Sequence, residues 1–216
     1  IQLSIAPDVG SDTRSVLRIT DGGQARIRRG PMPADELERL RQVYRSGFLD
    51  APSERWLDEF ATRAAEVADA PMSALSIIDV DRQWFASGVG LAPGTSTPRD
   101  AAFCAHTVCS PAPLVVSDAL TDDRFASNPL VQGKPWIRSY LGAPIVSHVG
   151  CAYGAVFVAD VVPREFRSDV VATLVDFARR TAARLDHRAA LTATRHREVT
   201  WGLSSPTGAS TRTGPW

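Results

Sequence analysis

Apolar residues recur at helical spacing near both ends of this chain and at alternating spacing between them. Pro33 to Arg45 predicts a helix: Pro33 and two acids occupy its first turn, Leu37, Leu40 and Tyr44 share a face, and Ser46-Gly47 ends it. A second helix is expected from Ser53, an N-cap residue, with Trp56, Leu57, Phe60, Ala64 and Val67 as its apolar stripe, stopping before Pro71. The period then falls to two. Met72–Val80 and Arg82–Gly90 read as strands of a hairpin around the acidic turn Asp79-Val80-Asp81.

A Gly/Pro/Ser/Thr-rich loop is expected over Leu91–Pro98 and a short helix over Ala101–Cys109. Pro113–Ala119 reads as a strand, and Thr121–Leu130 as an acid-capped short helix ending near Asn128-Pro129. Trp136–Val146 and Tyr153–Val161 form two more strands about a turn at Val149-Gly150. A long helix starts at Ser168 and runs to about Arg197, with Val171, Leu174, Ala178, Thr181 and Leu185 as a narrow seam. Upstream, Ser15–Arg28 alternates around Asp21-Gly22-Gly23 and suggests a small hairpin, while Gly202–Trp216 has no periodicity.

This order predicts an α/β (α+β) domain over residues 33–187, with a tail or hairpin over 1–32 and a helix extension and tail over 188–216. About five strands form an antiparallel sheet, the terminal helices lie on one face, and short helices and loops cover the other. The 216 residues suffice for one such domain with two tails. A formal net charge of +0 disfavours nucleic acid as a partner, and the bases are Arg almost throughout, Lys134 being the sole lysine. No segment holds the roughly 18 apolar residues of a membrane span. The three cysteines do not make a disulfide framework, so a reducing cytoplasm is the expected location. Without an initiating Met or a secretory leader, the chain reads as processed or as a fragment.

Ordered motifs then carry a family resemblance. They are Phe103-Cys104-Ala105-His106, Pro113-Leu-Val-Val, Asp118-Ala119, Asp123-Arg-Phe125 and Asn128-Pro-Leu-Val131, followed by Gly133, Ile137-Arg138, Tyr140, Gly142-Ala-Pro-Ile145, Gly154, Asp160 and Pro163-Arg-Glu-Phe166. Across about residues 37–187 the chain resembles bacterial sensory GAF domains of the FCAH/NPLV/GAP subgroup. Two positions depart from that pattern: Ala102 stands where Ser is usual, and Val156-Phe157 where Leu-Cys is usual. The resemblance implies a pocket between the sheet and its cover, and signalling through a helical homodimer. It leaves the ligand open, since such domains bind cyclic nucleotides, haem, bilins, amino acids or nothing known.

Ten residues are the expected ligand contacts: Trp84, Phe103, Cys104, His106, Asp118, Arg124, Phe125, Asn128, Arg138 and Tyr140. Phe103 and His106 share a helical face, and His106 titrates near neutral pH. Trp84 and its neighbour Phe85 point to opposite faces of a strand, and Trp84 is taken as the pocket residue. Asp118, Arg124, Asn128 and Arg138 suit a zwitterion or a carboxylate, with Arg138 as a bidentate anchor. The competing reading makes these charges a structural ion pair and His106 a backbone-bonded core residue.

Cys104, His106 and Cys109 are too few and face different ways, so no metal is expected. A bilin would need a cysteine between about residues 125 and 140, where none occurs. A GAF-related group reduces free methionine sulfoxide with pocket thiols; its attacking cysteine would fall near Asn128, which carries none. The cofactor is therefore unassigned, and the expected partner is an unidentified small molecule. Two alternatives remain: an enzyme working redox or acid–base chemistry with Cys104, His106 and Asp118, and an interaction adaptor without ligand.

Overall fold

In the computed structural model the described residues are 30–202, with side chains described to Thr192. The hairpin expected over 15–28 and the C-terminal tail beyond Gly202 lie outside them. Two helices come first, α1 (Glu36–Ser46) and α2 (Arg55–Ala68), followed by strands β1 (Met72–Ile78), β2 (Arg82–Val89) and β3 (Ser96–Pro98). A 3-10 turn (Arg99–Ala101) leads into α3 (Phe103–Thr107), β4 (Leu114–Val116), α4 (Pro129–Gln132), β5 (Ser139–Val146), β6 (Ala152–Asp160) and α5 (Ser168–Gly202). The strands form one sheet in the order β3-β2-β1-β6-β5-β4, with every neighbouring pair antiparallel.

The sheet therefore has six strands where about five were expected. The extra one is β3, three residues at the end of the Leu91–Pro98 segment, which a Gly/Pro-rich composition hides. The helix expected over Thr121–Leu130 is instead a run of turns, and α4 begins where that helix was to end. Asn128 caps α4, its side chain accepting from Leu130 N at 2.8 Å, and Pro129 takes the first helical position, where its missing N–H costs nothing.

Helix α1 stops at Gly47, whose φ of +58° suits glycine, its N–H reaching Tyr44 O. Its buried face is not the expected one. Leu37 is 66% exposed and Tyr44 is also exposed, whereas Arg39 is wholly buried beside Val43 and Ser46. Arg39 earns burial because every guanidinium nitrogen has a partner: Nη1 donates to Ile78 O at 2.7 Å and to Ala152 O at 3.2 Å, and Nε and Nη2 donate to Glu36. In α2 the stripe is as expected at Leu57 and Ala64, with Trp56, Phe60 and Val67 half-buried around them.

Strand alternation assigns each side chain to a face. Leu75, Ile77, Leu141, Ile145, Val156 and Val158 point at α1, α2 and α5, where Leu57, Leu174, Ala178 and Leu185 meet them. The seam expected on α5 thus lies on the chain's own sheet: Leu174, Ala178, Thr181 and Leu185 are all buried there. The opposite face carries Ala74, Ile78, Phe85, Tyr140, Ala155, Phe157 and Ala159 and is covered by α3, α4 and their loops.

Candidate functional site

The second face is not filled. Its side chains are small on the central strands, and the cover stands off them, leaving an apolar cavity of about 560 Å³. That volume lies within the roughly 300–1,000 Å³ range of small-molecule sites. Met72, Ala159 and Tyr140 lie side by side across β1, β6 and β5 and line it, flanked by Phe157 and by Phe85 on β2. Gly90, Leu91 and Ala92 bound one side, and Leu130 on α4 with the segment Lys134–Ile137 bounds the other.

The first turn of α3 closes the cavity. Phe103 stacks on Phe125 at 4.1 Å between centroids and 8° between planes, and tilts against Tyr140 at 5.1 Å. Tyr140 in turn stacks on Phe157 at 5.6 Å. The ring of Tyr140 bends along its own strand over Gly142, where an added Cβ would stand 2.1 Å from the phenol oxygen. That close approach brings Tyr140 Oη within 3.2 Å of Cys104 Sγ and 2.8 Å of Thr107 Oγ1.

Cys104 forms the polar floor with its neighbours. Its Sγ accepts from Gln83 Nε2 at 3.2 Å and from Ser76 Oγ at 3.4 Å. Burial pushes the thiol up to about 11, although the hydrogen bonds from Ser76, Tyr140 and Gln83 work against that. A thiol held that high favours its protonated form at neutral pH. Burial raises the Tyr140 phenol well above its ordinary value, with the Cys104 sulfur adding to the rise. Opposite Gln83 in the β2–β3 register stands Thr97, whose buried Oγ1 has no partner among the described residues.

The structure brings together three of the ten expected contacts, Phe103, Cys104 and Tyr140, along the cavity wall. Phe125 and His106 sit one layer out: Phe125 is buried behind Phe103, and His106 packs edge-on against Phe125 at 4.7 Å. Burial lowers the His106 pKa, and the Arg124 cation lowers it further. Trp84 is a correction. It faces the helical layer, edge-on to Phe48 at 6.0 Å, and Phe85 takes the cavity side. The expected charged cluster is also dispersed. Arg124 is exposed and paired with Asp122 at 2.6 Å. Asp118 accepts from Leu120 N at 3.0 Å in a turn, and Asn128 is spent on its cap and on Ala101 O at 3.1 Å.

Arg138 does not reach the cavity either. Its Nη1 donates to Val131 O at 2.9 Å and Ile137 O at 3.0 Å, which braces the connection from α4 to β5. It positions the cavity's rim without pairing with a carboxylate among the described residues. Sequence reading missed the lining of Met72, Gln83, Phe85, Thr97, Lys134, Trp136 and Phe157. For Lys134 there was a signal, a lone lysine in an arginine-rich chain inside the motif-bearing segment. The described residues include no group of three or more His, Cys, Asp or Glu able to hold a metal, and no helix among them is long and apolar enough to cross a membrane.

The comparisons agree with this architecture. The GAF domain profile matches residues 52–185. A cyclic di-GMP phosphodiesterase of Pseudomonas aeruginosa is 37% identical over 156 residues, which is 72% of this chain but 26% of that protein. The chain therefore spans about a quarter of that relative's length. Among solved structures, GAF domains of phosphoenolpyruvate-protein phosphotransferases share the fold. The one from Coxiella burnetii aligns at TM-score 0.55 and 21% identity, covering 73% of this chain and 96% of that domain. The one from Acinetobacter aligns at 0.54 and 19%, covering 74% and 97%. With its profile match running from just before α2 to the middle of α5, the chain belongs to the GAF domain family.

Proposed function

We propose that this domain is a regulatory sensor that binds a small molecule between its sheet and the α3/α4 cover, in the cytoplasm of a bacterium. The carrying observation is the apolar cavity of about 560 Å³ between the sheet and the α3/α4 cover, on the face opposite the one that α1, α2 and α5 bury. Kinship with a phosphodiesterase and the FCAH, NPLV and GAP strings support a signalling subgroup. A chain of contacts leads out of the site. Arg99, in the turn leading into α3, donates to Glu36 Oε1 and to Asp79 O at 2.9 Å, and Glu36 also holds Arg39 on α1. A guest that moves α3 thereby moves α1, and with it the helical layer.

A homodimer through α1 and α5 belongs to the same proposal. Helix α5 has 35 residues, roughly 52 Å, and Leu37 and Leu191 stand exposed on the two helices. Light scattering of the purified chain measures this directly: a monomer mass removes the dimer.

The sensor itself is tested with indole, a neutral ring of suitable size, by thermal unfolding. Indole raises the melting temperature of the wild-type chain, because a ligand that binds only the native state stabilises it by mass action. Ala159→Leu, which grows a side chain into the cavity, folds and loses the response. Equal responses of the two proteins, or none from the wild type, would overturn the reading.

A further inference from the structure

We infer that the cavity selects an apolar monocarboxylate, an acid with a ring-bearing or aliphatic body, and that Lys134 is the residue that recognises its charge. This rests on the cavity being a ligand site and goes beyond it to the ligand's chemistry.

Phe85, Phe103, Phe157, Ile137, Leu130 and Met72 make walls that demand an apolar body. Lys134 is the one charged residue lining the cavity among the described residues, and it has no ion-pair or hydrogen-bond partner among them. It sits on the rim beside Trp136, itself 47% exposed, so its ammonium stays hydrated when the site is empty. One cation with no carboxylate lining the same space complements one negative charge. It leaves nothing to pair with the ammonium of a zwitterion.

The arginines expected to bind an anion are otherwise engaged, Arg124 with Asp122 and Arg138 with two carbonyl oxygens. A multiply charged ligand such as a cyclic dinucleotide would bring two phosphates to a single lysine, a poor match in an apolar site. At the polar floor the unpartnered Thr97 hydroxyl, beside Gln83, offers a bond to one neutral polar group. The preferred guest therefore carries its charge outward and at most one neutral hydrogen-bonding group inward.

Calorimetric titration of the full chain with 3-phenylpropionate, 3-phenylpropionamide, L-phenylalanine and cyclic di-GMP tests this. The acid and its amide share size and shape and differ in charge. The acid is expected to bind roughly fivefold more tightly than the amide, the scale of an exposed ion pair. Added salt narrows that gap by screening. Lys134→Met, a change at an exposed position, abolishes the gap, so that the variant binds acid and amide alike. Equal binding of acid and amide by the wild type overturns the charge assignment while the cavity reading stands. So does tighter binding of L-phenylalanine or cyclic di-GMP than of the acid. Binding by none of the four overturns both.

Discussion

The two faces of one sheet have been built to different standards. Toward α1, α2 and α5 the central strands present Leu75, Ile77, Leu141, Ile145, Val156 and Val158, branched chains that interlock with Leu57, Leu174 and Leu185. Toward α3 and α4 the same strands present Ala74, Ser76, Gly142, Ala155 and Ala159, and bulk comes from aromatic rings standing around a hollow. Burial on the first face drives folding at roughly 25 cal/mol per Å² of apolar surface. The second face forgoes part of that gain to keep space open. The branched apolar side chains are concentrated under the helices, and the open space lies under the cover.

Substitutions can break or sharpen that contrast. Leu174→Ala, at a wholly buried position under the helices, is expected to cost about 2–5 kcal/mol by chemical denaturation, because it leaves a hole in the core. A loss under 1 kcal/mol would deny the difference between the faces. Gly142→Ala, on the other side, forces the Tyr140 ring away from its strand and breaks its contacts with Cys104 and Thr107. It is expected to cost about 1–3 kcal/mol and to weaken indole binding together with stability.

A pH series probes the link between the faces. Burial would raise the Glu36 pKa, but hydrogen bonds from Arg39 and Arg99 outweigh it and lower the value from 4.5 to about 2. A carboxylate depressed on folding stabilises the protein fully above its unfolded value, and that contribution is lost as pH falls from about 4.5 through about 2. Wild-type stability should decline across that window, and Glu36→Gln should start lower and decline less. Identical slopes would remove Glu36 from the link. The smallest effect is expected of Ala159→Leu without ligand: a stability change under about 1 kcal/mol, where the same enlargement in a packed core costs about 1–3 kcal/mol.

Much of this fold is legible in the sequence because period and punctuation are strong: the Asp79–Asp81 turn, the Leu57/Ala64 stripe and the long α5 need only local spacing. The misread parts depend on tertiary context. Arg39 is buried because the carbonyls of Ile78 and Ala152 and the Glu36 carboxylate converge on it from three elements, and no helical pattern on α1 contains that fact. Trp84 and Phe85 are adjacent aromatics on one strand, and alternation says that they differ in facing but not which faces inward. A register shift between Leu75 and Ser76 further disturbs the count along β2.

The site was only partly visible for a related reason. Motif residues Phe103, Cys104 and Tyr140 line the cavity, but Asp118, Arg124, Asn128 and Arg138, grouped as ligand-binding by charge, serve turns, a local pair, a helix cap and a backbone brace. Residue type reports what a side chain can bind and leaves open whether the fold already uses it. The small residues of the hollow face carry the opposite lesson. Ala74, Ala155 and Ala159 alternate with Leu75, Val156 and Val158 in plain sequence, and that alternation of small with large marks which face is to be left open.

Methionine methyl NMR tests the central claim most directly, since the chain has two methionines, Met72 lining the cavity and Met32 exposed. With 13C-labelled methyl groups, titration with indole is expected to shift the Met72 resonance by the ring current of a bound guest and to leave that of Met32 in place. A Met72 signal that stays fixed while indole reaches saturation would show the face to be closed, and would contradict the account.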